Sequence, residues 1–143
     1  MTQPNPAALA DLIQRLTEAT GPDRTLDCAI HAIKLGGELR RVEPPTYEAT
    51  RYFCNPNPDI DWIGYDLLNV APAYTASLDS ALTLVPEGMG WRAGSRKNDL
   101  GEWEHFSRIE EVLQVRPPWN WHHAATPALA LCIASLRARE QQP

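Results

Sequence analysis

One run of this chain concentrates aromatic and titratable side chains, Trp119-Asn120-Trp121-His122-His123. Imidazole titrates near neutral pH, so a histidine pair invites general acid–base chemistry or metal ligation. Adjacent histidines point in different directions on any regular backbone, whereas metal pairs use i, i+2 on a strand or i, i+4 on a helix. The spacing therefore disfavours a metal shared by His122 and His123, and no cofactor is expected. If this protein cleaves a bond, His122 and His123 are the acid and base, with His105 of Trp103-Glu104-His105-Phe106 as a third candidate.

Stacking is the second chemistry on offer. Tyr47, Tyr52, Trp62, Tyr65, Tyr74, Trp91, Trp103, Trp119 and Trp121 all fall in the middle of the chain, outside the strongest helical patterns. Rigid aromatic faces stack on bases at about 1–3 kcal/mol each, and arginines beside them grip phosphates. Trp91 beside Arg92 and Arg96, and Tyr52 beside Arg51, combine the two. The competing role for any strand tryptophan is to cover helices. Helix starts at Ser77 and Thr126-Pro127 present backbone N–H groups that suit an anion, although capping alone explains both. The expected ligand-binding residues are Trp91, Arg92, Arg96, Trp62, Tyr74, Trp121 and Thr126.

Other candidates carry less. His31 follows Asp27 by four residues on a helical wheel, the spacing of a surface pair. Glu110-Glu111 on a strand would face opposite ways, Asp59 and Asp61 lack the further oxygen ligands of a calcium loop, and Gly88-Met89-Gly90 reads as a turn. Cys54 has no identified base and reads as packing.

These residues need a scaffold, and the apolar spacing supplies one. Leu9/Leu12/Ile13/Leu16, Leu26/Ala29/Ile30/Ile33, Leu78/Ala81/Leu82/Val85 and Leu129/Cys132/Ile133/Leu136 each mark the buried stripe of a helix. Pro6, Asp23, Ser77 and Thr126-Pro127 are start signals, and Gly36-Gly37 and Pro86 are stops. In the second helix Asp27, His31, Lys34 and Glu38 form a polar side, while Cys28, Ala32 and Leu35 form a second apolar one. Trp91-Arg92-Ala93 and Trp103 to Val112 read as strands around a polar turn from Gly94 to Gly101. Thr46 to Cys54 and Ile60 to Leu68 are further strand material, broken at Asn55-Pro56-Asn57-Pro58-Asp59. The expected fold is α/β, a small antiparallel sheet flanked by helices in an α/β/α sandwich, as one domain over residues 1–143.

Composition narrows the partners. Of 143 residues, 43% are apolar and 22% charged, with a net charge of -5, so the chain has a globular core and lacks the basic surface that grips duplex nucleic acid. Three scattered cysteines make neither a disulfide framework nor a zinc cluster. There is no leader-like N-terminus and no apolar run of membrane-spanning length, so a cytoplasmic protein without a membrane partner is expected.

The blocks GPDRTLDCAIHAIKLG, ASLDSALTLVPEGMGW and AATPALALCIASLRAR resemble the small phage and prophage proteins grouped as the phage ABA-sandwich domain. The resemblance covers roughly residues 6–37 and 70–138, leaving an aromatic insertion at about 38–69. It implies an α/β/α sandwich and a phage or prophage origin, hence the cytoplasm of an infected bacterium. By analogy, small acidic phage proteins include sponges for host immune nucleotide signals such as cyclic ADP-ribose isomers and cyclic dinucleotides. The expected function is anti-defence sequestration of such a signal. The alternatives are its cleavage through His122/His123, or inhibition of a host protein through the aromatic insertion. Sponges often build pockets at symmetric interfaces, so the analogy admits a homodimer that no residue pattern specifies.

Overall fold

The computed structural model describes residues 6–35, 38–42, 51–55, 65–66, 71–111 and 121–140. Helix α1 (Pro6–Glu18) buries Leu9, Leu12, Ile13 and Leu16, the stripe its spacing dictates. Helix α2 (Arg24–Leu35) starts on Asp23, whose Oδ1 accepts hydrogen bonds from the Thr25 and Leu26 N–H groups at 2.8 and 3.2 Å. Strands β1 (Glu38–Val42), β2 (Arg51–Asn55) and β3 (Tyr65–Asp66) form an antiparallel sheet in that order. After helix α3 (Leu78–Leu82), strands β4 (Met89–Lys97), β5 (Trp103–Glu111) and β6 (His122–Ala124) form a second, also antiparallel and in sequence order. Helix α4 (Pro127–Glu140) closes the description, its first turn capped by Thr126 Oγ1 accepting from Leu129 N at 3.2 Å.

The expected α/β architecture, a small antiparallel sheet flanked by helices, is what these elements make. Helix α4 is the hub: its buried run from Ala128 to Leu136 packs against all three strands of the second sheet, and also against α1 and α3. An all-round apolar helix has no other stable place. Helix α1 also meets α2, and α2 meets β1 and β2. No helix among the described residues is long and apolar enough to cross a membrane.

Several local expectations change. The polar stretch Gly94–Lys97 is strand and not turn, because each residue finds a cross-strand partner: Ser95 Oγ meets His105 Nδ1 at 2.7 Å, and Arg96 Nε donates to Glu104 Oε2 at 3.1 Å. The turn contracts to Asn98–Glu102, where Asn98 Oδ1 accepts from both Leu100 N and Glu102 N and Gly101 takes φ +79°. Strands β1 and β6 had no strand signal in the sequence. Helix α3 is one short turn ending at Leu82, so Leu78 faces outward and Leu84 fills the core instead.

Asp27 is the sharpest correction. It is 1% exposed, and no surface pair with His31 exists. Its Oδ1 accepts from the Thr75 backbone N–H and hydroxyl, each at 2.8 Å, and its Oδ2 pairs with Arg24 Nη1 at 3.1 Å. Thr75 Oγ1 also accepts from Asp23 N at 2.8 Å. His31 turns instead to the Tyr74 hydroxyl, Nδ1 to Oη 2.9 Å. Burial pushes the Tyr74 hydroxyl up to about 12, and burial with the Lys34 charge lowers the His31 pKa. This latch fixes the segment before α3 onto α2 from inside the core.

Candidate functional site

The β4–β5 register decides which candidate side chains can act together. Trp91 stands opposite Ile109, Arg92 opposite Arg108, Gly94 opposite Phe106 and Arg96 opposite Glu104; on the far edge His123 is opposite Phe106 and His122 opposite Ser107. Side chains alternate between faces along a strand and match across an antiparallel pair. One face therefore carries Arg92, Arg96, Glu104, Phe106, Arg108, Glu110 and His123. The other carries Trp91, Ser95, Lys97, Trp103, His105, Ser107, Ile109 and His122, and its Ile109 and Ala124 positions pack against the helical core.

On the open face Phe106 sits at the centre of an aromatic group. Trp121 meets it edge-on at 5.1 Å between ring centroids, and the His123 ring lies 5.9 Å away. The Phe106 ring occupies the space above Gly94, where a Cβ would come within 2.8 Å of it. Arg96 stands 5.9 Å over the Phe106 ring, and the buried Arg108 stands 4.7 Å over Trp121. Arg92 Nε pairs with Glu110 Oε1 at 3.1 Å, and Arg108 Nη2 pairs with Glu110 Oε2 at 2.9 Å. Arg92 and Arg96 are well exposed, and Trp121 keeps 38% of its surface.

The expected grouping is thus partly rearranged. Arg92, Arg96 and Trp121 share one face, but Trp91, the sequence neighbour of Arg92, lies on the opposite face and exposed. Tyr74 is fully buried against the helices and its hydroxyl is engaged by His31, which takes it out of any ligand's reach. Thr126 spends its hydroxyl on its own helix cap, as does Ser77, which accepts from Ser80 N at 3.3 Å. Trp62, Tyr47 and Trp119 lie outside the described residues, and Tyr52 and Tyr65 are placed on β2 and β3 by their backbone alone. Phe106 and Arg108 were missed. The alternation in Trp103-Glu104-His105-Phe106-Ser107-Arg108-Ile109-Glu110 was the signal that could have paired them with Arg92 and Arg96.

The histidines divide in the same way. His123 is exposed on the open face, whereas His122 is half-buried towards α4. Burial lowers the His122 pKa first, and the charge of Arg137 lowers it further. His105, hydrogen-bonded to Ser95, shares the face of His122 and not that of His123. Among the described residues no three His, Cys, Asp or Glu side chains are grouped to hold a metal. Cys28 and Cys132 are buried thiols, and burial pushes Cys132 up to about 12.

Compared with protein families, with curated proteins and with solved structures, the chain gives no match.

Proposed function

We propose that this protein binds a small nucleotide-type ligand on the open face of β4–β5–β6 and holds it intact. The observation that carries this reading is the meeting of Arg92, Arg96 and Arg108 with Phe106, Trp121 and His123 on one sheet face. Among the described residues, three guanidinium groups stand against the carboxylates of Glu104 and Glu110 on that face, a positive balance on an acidic chain. The exposed ion pairs of Arg92 and Arg96 are each worth only about 0–1 kcal/mol, so a phosphate can displace the glutamate at little cost. A base would stack on Trp121, and the two exposed arginines would take the phosphates. Sequestration is favoured over cleavage because, of the three candidate histidines, only His123 lies on the arginine face, while His122 and His105 lie on the other. The ligand class, cyclic ADP-ribose isomers and cyclic dinucleotides acting as host immune signals, comes by analogy with small acidic phage proteins that sequester such signals.

Incubation with a panel of those nucleotides tests the reading, free nucleotide being quantified before and after the protein is heat-denatured. Loss of one nucleotide with full recovery on denaturation is the expected result. Loss without recovery would replace binding by cleavage, and no loss of any nucleotide would remove both.

A further inference from the structure

Strand β4 is an edge of the second sheet: among the described residues it pairs only with β5. It is nine residues long, holds no proline, pairs with β5 without a bulge, and has six residues exposed. An edge of that length normally carries a device that prevents its pairing with another chain. Among the described residues the device β4 carries is charge, from Arg92, Arg96 and Lys97.

Charge and strand length together select one register. Antiparallel self-pairing about a two-fold axis normal to the sheet must be centred on a residue, since facing side chains share a face. Centred on Arg92, the pairing sets Arg92 against itself. Centred on Gly94, it sets Arg92 against the partner's Arg96. Centred on Ala93, the midpoint of the strand, it uses all nine residues and places Arg92 opposite the partner's Gly94 and Arg96 opposite the partner's Gly90. Trp91 then faces the partner's Ser95, and Met89 faces the partner's Lys97. No two like charges stand directly opposite, and the registers centred on Trp91 or Ser95, which share that property, engage only five residues of β4.

The glycines also have suitable neighbours. Gly94 borders the Phe106 ring and Gly90 borders the Glu110 side chain. An arginine crossing each glycine from the partner therefore reaches an aromatic face in one case and a carboxylate in the other. We infer that a second copy of this chain pairs antiparallel with β4 about Ala93, joining three strands from each copy into one continuous sheet. A composite ligand site follows only if the nucleotide-binding reading holds: Arg92 and Arg96 of both copies would then line one seam, a two-fold site for a two-fold ligand.

Light scattering on the full chain should give twice the chain mass. Single cysteines, introduced in a Cys54→Ser background, then read the register without any ligand. Cα atoms paired across an antiparallel ladder lie about 4.5–5.5 Å apart, within disulfide reach, so A93C should cross-link to itself on mild oxidation. W91C and S95C should not, because each faces a different residue. Ala93→Lys should weaken the dimer by on the order of 100-fold with an unchanged circular dichroism spectrum. A monomer at high micromolar concentration would overturn the proposal. So would a dimer in which A93C fails to cross-link, or in which W91C or S95C cross-links as readily.

Discussion

The two ends of the polar spectrum in this molecule are the Asp27 latch and the arginine face of β4–β5–β6. Both are built from charged groups beside aromatic rings, yet they are wired differently. Asp27 is enclosed, and both its oxygens are bound to groups of its own chain at 2.8–3.1 Å. Arg92 and Arg96 lie open to solvent and each holds a glutamate by one bond at 3.1 Å. A satisfied buried carboxylate stabilises the fold and has nothing left to offer a ligand. A loosely paired exposed arginine contributes little to the fold and can exchange its partner. The same residue types thus serve structure in one region and suit recognition in the other.

Removing the latch should have the largest effect. Asp27→Ala strands the Thr75 N–H and hydroxyl in the core and is expected to cost about 3 kcal/mol, lowering Tm by on the order of 10 °C in calorimetry. Asp27→Asn, which keeps an acceptor, should lose clearly less. Nucleotide affinity of the protein that stays folded should not move, and a parallel loss of affinity would break the contrast between the two regions.

The arginine face predicts the reverse pattern. Trp121→Ala, and Arg92→Ala with Arg96→Ala, should each weaken nucleotide binding by roughly 10–100-fold in titration calorimetry while Tm shifts by no more than a few degrees. Trp91→Ala, on the opposite face, should leave affinity unchanged, and an effect as large as that of Trp121→Ala would relocate the site. Gly94→Ala sits between the regions: its methyl must displace the Phe106 ring, at a cost of about 1–3 kcal/mol, and should loosen both the fold and the ligand.

The smallest effect is pH-dependent. His31 and His122 both have lowered pKa values in the folded protein, chiefly from burial. The unfolded chain therefore binds more protons than the folded one just below the ordinary histidine value of 6.5. Stability should be fully present above that pH and fall as pH drops through the folded-state values. Chemical denaturation across this window should show the slope, and His122→Gln should flatten it. A slope of opposite sign would mean that the histidines gain a partner on folding instead of losing water.

The sequence made the helices legible because burial imposes its period directly: the stripe of α1 and the all-round apolar α4 are where spacing alone puts them. Caps at Asp23, Ser77 and Thr126 were equally readable, being local chemistry. The second sheet was less so. Gly94–Lys97 carries turn composition, and only its partners on β5 make it strand. The site shared that fate. Adjacency in sequence linked Trp91 to Arg92, but strand geometry sends neighbours to opposite faces and joins Arg92 to Arg108 and Trp121. Asp27 looked like a surface residue because its partner, Thr75, is 48 positions away.

That separation has a consequence for how the chain tolerates change in length. The latch brings α2 and the segment before α3 together from within the core, whatever length of chain connects them. Closing a loop depends only weakly on its size, each doubling costing about 0.6 kcal/mol. Lengthening the connection between Leu35 and Ala71 therefore adds little to the cost of bringing the two halves of the helical core together. New surfaces can be tried out there without rebuilding the face formed by β4, β5 and β6.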